Sequence, residues 1–178
     1  MKRPFHTLTA AGLLAHHGYE LAAGVGLVGQ HKMGLAGTSA LWGGIVPPWL
    51  LMAERGSSRW SPLLGFGVGA SLAGVIVHYI LWPWELRRGL PTLTEAEALK
   101  QEQLPAYNAV LWVWGLTALL ALFKETPRSG LKWVLAGLLT IPMMRTSATE
   151  GFEWLREQAQ TNPAWWNRAR AEKEGDET

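Results

Sequence analysis

Apolar and charged residues fall into long separate blocks along this chain, not into the short repeat of an amphipathic surface helix or strand. Residues 33–53, 61–84 and 106–123 contain no Asp, Glu, Lys or Arg, and residues 4–31 contain a single charge, Glu20. Each block supplies the roughly 20 apolar residues that an α-helix needs to cross a hydrocarbon core. A fifth block, 131–149, has its uncharged run confined between Lys132 and Arg145. The pattern therefore predicts an all-α, polytopic membrane helix bundle of about five spans: 8–29, 36–54, 61–84, 106–123 and 131–149. Short connections between adjacent runs predict antiparallel neighbours.

The polar segments refine this plan. In the 85–105 loop, Thr94 followed by Glu97 reads as a capping box opening a short surface helix over 94–104, which Pro105 would stop. Residues 1–149 are read as the bundle and 150–178 as a polar tail with a short interfacial helix over 150–160 and a frayed end. Pro47 and Pro48 predict a kink or break in span 2, and Pro83 predicts one at the end of span 3.

Composition supports the membrane class and excludes others. Gly (20) and Trp (11) are abundant, and small residues let membrane helices approach while Trp gathers at the interface. Trp60, Trp82, Trp84, Trp133 and Trp154 fall at predicted span ends, whereas Trp42, Trp112 and Trp114 lie deeper. No Cys is present, which excludes disulfides, thiolate catalysis and Cys-ligated metals. The net charge of +2 and the absence of a basic, aromatic-interleaved stripe argue against a nucleic-acid partner. Loop Lys and Arg number seven on the N-terminal side and four opposite, a mild preference for a cytoplasmic N-terminus.

Candidate chemistry sits where apolar spans carry polar groups. Ionisable residues inside a membrane cost several kcal/mol unless paired or hydrated, so His16, His17 and Glu20 in AHHGYE stand out as candidate catalytic residues. His16 and Glu20 form a facing i,i+4 pair. In span 3, Gly67, Ser71, Gly74, His78, Trp82 and Glu85 share one stripe. The order of spans gathers Glu20, His78, Glu85, Tyr107, Asn108 and Arg145 into one leaflet. With Trp82 and Trp112, these residues of spans 3, 4 and 5 are the candidate ligand contacts.

Three functions fit. The first is an intramembrane His/Glu pocket that binds or transforms an apolar ligand of the isoprenoid or lipid class, with Glu20 moving a proton and a His as its partner. Such a pocket lined by Trp resembles those of small sterol- and isoprenoid-processing membrane enzymes, although none of their motifs aligns to these positions. The second is an accessory or assembly subunit beside other membrane subunits, its polar groups purely structural. The third is haem or metal binding through His. His17 and His78 lie at depths about 12 Å apart if the spans start as predicted, which disfavours haem, and His16, Glu20 and His78 form a metal set of low specificity. No cofactor and no metal site are assigned by the residues alone.

Overall fold

A computed structural model describes residues 2–176, with side chains described to Glu172. The described residues are mostly helical: α1 (Pro4–Ala23), α2 (Gln30–Arg55), α3 (Ser61–Leu81), α4 (Leu104–Leu120), α5 (Arg128–Leu138), α6 (Ile141–Thr161) and α7 (Arg168–Asp176). A short antiparallel hairpin, β1 (Trp84–Arg87) paired to β2 (Leu90–Leu93), follows α3. The all-α class holds, with this hairpin as its one departure among the described residues.

Three helical stretches, Gln30–Arg55, Ser58–Leu81 and Leu104–Glu125, are long and apolar enough to cross a membrane. Their outward faces present Leu51, Leu63, Ile80, Val113, Leu116 and Phe123. These stretches are three of the five spans expected. Helix α1 has the length, but its His residues and Glu20 leave it short on apolar content. The expected fifth span over 131–149 is two helices, α5 and α6, broken at Leu139 and Thr140. Pro142 has no N–H to give the carbonyl of Leu138, and the Thr140 hydroxyl instead bonds the Gly137 carbonyl at 2.6 Å. Helix α6 then runs unbroken through residues 149 and 150.

Other boundaries shift for readable reasons. Helix α1 starts at Pro4, whose missing N–H costs nothing at a first turn, and ends before Gly24, which takes the left-handed conformation at φ 79°. Glu20 therefore lies in the last turn of its helix, not mid-span. Pro47 and Pro48 do not break α2; its one non-helical residue is Gly34, at φ 67° and ψ 174°. The positions four residues before the prolines are Gly43 and Gly44, with open space around both. Residues 94–103 form turns instead of the expected surface helix, because Glu97 adopts φ 49° and turns inward, leaving Thr94 to bond the Pro83 carbonyl.

The ends of α1 are held by distant parts of the chain. The Glu125 carboxylate accepts the backbone N–H groups of Phe5 and His6, both at 2.9 Å, giving the first turn the anion its dipole favours. At the other end Arg168 donates to the Ala22 carbonyl and Arg170 to the Val25 carbonyl. The tail expected to fray thus docks through residues 168–170 on the end of α1.

Glycine sets how closely α3 approaches α5. A Cβ at Gly69 would stand 2.1 Å from the Val134 carbonyl oxygen, and one at Gly137 would stand 2.4 Å from that of Phe66. Both obstacles are backbone, so neither can swing aside. Gly69→Leu and Gly137→Leu are each expected to lose about 3 kcal/mol or more by overpacking. Gly43→Ala, at a site with nothing nearby, is expected to be near neutral. Thermal unfolding of the detergent-solubilised variants measures the contrast.

Candidate functional site

The site grows from one carboxylate. Glu20 is 1 % exposed, and its oxygens are met by side chains from α1, α3 and α4. Tyr107 donates its hydroxyl to Oε1 at 2.9 Å, His16 Nε2 lies 3.1 Å from the same oxygen, and His17 Nδ1 lies 3.0 Å from Oε2. His78 Nε2 stands 3.9 Å from Oε1. The two α1 contacts follow from helical periodicity, since residues three and four apart share a face. The others require α3 and α4 to pack beside α1.

That packing depends on one tryptophan. Trp114 of α4 lies between α1 and α3, and a Cβ would meet it 3.0 Å away at Gly12 and 2.9 Å away at Gly74. Its ring stacks on His16 at 5.1 Å with planes 23° apart. His78 meets the other side of His16 edge to face at 4.8 Å. Those rings touch directly, so this pair leaves no slot for a porphyrin between them. His78 Nδ1 bonds the Gly74 carbonyl at 2.7 Å. A carbonyl only accepts, so this nitrogen carries the proton, and a neutral His78 keeps its lone pair on Nε2.

Behind Glu20 lies Glu97, 5 % exposed and delivered by the turns after the hairpin. One of its oxygens lies 3.4 Å from an Arg170 guanidinium nitrogen, Oε1 is buried away from any donor, and the carboxyl is close enough to Glu20 for the two to share a proton. Burial, reinforced by the neighbouring Glu20 charge, holds the Glu97 carboxyl well above the usual carboxylate range, with Arg170 opposing. One ligand atom from each of Glu20, His78 and Glu97 falls within 4.8 Å of the other two.

The cluster forms part of the wall of a cavity of about 960 Å³ between α1, α2, α3 and α6. His16, His17, Glu20 and His78 supply one polar patch, the Lys32–Glu150 pair a second, and Trp42, Trp49, Trp82, Trp114 and Phe66 much of the apolar lining. Trp42 stacks on His17 at 4.1 Å. Few polar groups converging on an apolar cavity is the usual form of a small-molecule site.

Of the sequence-derived candidates, the structure brings together His16, His17, Glu20, His78 and Tyr107, with Trp82 on the cavity lining beside Phe152. Asn108 lies apart: its side chain clasps β2, accepting from the Leu93 N–H at 2.8 Å and donating to the Leu93 carbonyl at 3.0 Å. Trp112 similarly donates to the Pro91 carbonyl at 2.7 Å. Glu85 is exposed on β1 beside Arg87, because α3 ends at Leu81 and the extended chain carries it away from the stripe. Arg145 is exposed on α6. Glu97 and Arg170 are the residues that sequence reasoning missed. The Thr94 to Glu97 spacing pointed to a helix cap, and nothing in the tail's mixed charge marks Arg170.

Comparison with protein-family models, curated proteins and solved structures gives no match for this chain.

Arg170 closes the cluster on its tail side, touching Glu97 and also lying over the Phe152 ring at 5.3 Å. Arg170→Ala is expected to destabilise the protein by roughly 3 kcal/mol, since removing one partner strands the other in the interior. The double variant Arg170→Ala/Glu97→Gln is expected to recover part of that loss. Unfolding midpoints of the three variants and the wild type complete the cycle.

Proposed function

We propose that this chain is a multi-pass membrane protein that binds an apolar ligand of the isoprenoid or lipid class in the cavity and isomerises it by proton transfer at the His/Glu wall. The observation that carries the reading is a buried carboxylate with three partners from two helices, set in the wall of a predominantly apolar, Trp-lined cavity. Apolar volume selects the ligand class, and the polar patch gives it a fixed point of attack.

The roles follow from what each group can donate. With Glu20 as the carboxylate, His17 donates Nδ1–H to it, which leaves Nε2 of the neutral ring as a base on a cavity-lining side chain. Glu20 orients that ring and stabilises its cationic form after proton uptake. Tyr107 and His16 hold the other carboxylate oxygen, so Glu20 is positioned without needing water. Trp42, stacked on His17, presents its π face to the imidazolium that forms on proton uptake. Removal of a proton at one carbon and return at another conserves atoms and yields an isomer.

Organic extraction of the detergent-purified protein, followed by mass spectrometry, is expected to recover about one apolar small molecule per chain. Ala70→Trp, which fills the cavity, is expected to lose it. His17→Ala and Glu20→Gln are expected to retain a ligand but to hold the isomer that wild type converts. Bulk membrane lipid alone in wild type and Ala70→Trp alike would overturn the ligand reading. An unchanged ligand in His17→Ala would remove the proton-transfer role. An empty cavity together with stoichiometric co-purification of larger membrane subunits would favour an accessory subunit instead.

A further inference from the structure

Glu20, His78 and Glu97 present an arrangement that proton transfer through His17 does not use. His78 commits its Nδ1 proton to the Gly74 carbonyl, so the nitrogen facing Glu20 is an acceptor whenever the ring is neutral. Glu97 Oε1 is buried and meets no donor group, its carboxyl facing Glu20 instead. One potential ligand atom from each of the three residues lies within 4.8 Å of the other two. Two buried carboxyl groups this close share either a proton or a cation.

We infer that Glu20, His78 and Glu97 bind one divalent first-row transition metal ion, held by two carboxylates and one imidazole with at least one coordination position left open. Ligand type is the first support. Imidazole and carboxylate donors without thiolate suit Zn²⁺, Fe²⁺ or Mn²⁺, and two carboxylates balance a dication. Spacing is the second. Bonds of about 2.1 Å in tetrahedral geometry put ligand atoms roughly 3.4 Å apart. The His78 to Glu20 separation of 3.9 Å is already close to that figure. Rotation of the Glu97 side chain, which turns and not a helix carry, closes the third corner.

The third support is the surrounding shell, which has the form that metal ligands require. His78 is oriented by a backbone carbonyl on its distal nitrogen, Glu20 by Tyr107, and Glu97 by Arg170. An ion on the Oε1 side leaves Oε2 of Glu20 bonded to His17. Glu20 and His78 line the cavity while Glu97 stands behind them, so the ion would sit within that wall. This inference shares the cavity wall with the proposed function but does not depend on the ligand's identity.

The test is metal stoichiometry in the full-length protein in mild detergent. Wild type is incubated with Zn²⁺, desalted and analysed by plasma mass spectrometry. About one equivalent is expected, falling at least tenfold in His78→Ala and in Glu97→Gln. Two control variants away from the cluster, His31→Ala and Glu85→Gln, are expected to keep the wild-type content. Adding Co²⁺ to the unmodified protein is expected to produce visible d–d absorption that saturates at one equivalent and is displaced by Zn²⁺. This second readout needs no variant to fold. Wild type that retains no ion after desalting, or retains it equally in His78→Ala, overturns the metal site. A metal-free protein that still yields a stoichiometric apolar ligand sinks this inference alone; a metal-loaded protein with an empty cavity sinks the ligand reading alone.

Discussion

The burial of Glu20 is the constraint around which the interior is organised. A carboxylate taken out of water is tolerated only when donors replace its hydration, and a single helix can offer only neighbours three and four residues away. His16 and His17 are those neighbours, one on each oxygen, which leaves further lone pairs to satisfy. The remaining contacts come from Tyr107 of α4, with His78 of α3 close by. Two further helices therefore have to pack on the last turns of α1, and the turns after the hairpin place Glu97 on the far side.

Such packing demands backbones that come close. Glycine solves this in two ways here. At Gly69 and Gly137 it lets α3 and α5 touch backbone to backbone. At Gly12 and Gly74 it makes room for Trp114, which fills the gap between α1 and α3 and stacks on His16. The same residue type thus sets both the frame and the ring geometry of the site. The far wall of the cavity, from α2 and α6, contributes mainly apolar and aromatic side chains, with the Lys32–Glu150 ion pair as a second, more exposed polar point.

The two ends of α1 show how local and distant terms combine. Pro4 and Gly24 define where the helix starts and stops from local chemistry alone. Glu125 and Arg168 then satisfy the exposed backbone groups from far along the chain. Held at both ends, α1 presents His16, His17 and Glu20 at a fixed depth and rotation. The hairpin is fastened in the same manner, by Asn108 and Trp112 of α4, and this anchoring determines where the following turns deliver Glu97.

Much of this was legible in the residues themselves. Charge-free runs mark three membrane-length helices, because a bilayer admits no unpaired charge cheaply. The AHHGYE spacing places two His on Glu20 through helical periodicity, and the small-residue stripe of α3 names Gly74 and His78 as facing inward. What the residues could not reveal depended on contacts distant in sequence. The break at Leu139 and Thr140 divides a run that apolar content alone joins, and Glu85 leaves its stripe because the chain after Leu81 turns extended. Glu97 looks locally like a helix cap and Arg170 like part of a solvated tail. Only the tertiary structure decided that they meet beside Glu20, since a buried carboxylate selects its partners by position in space, and periodicity carries that information no further than one helix.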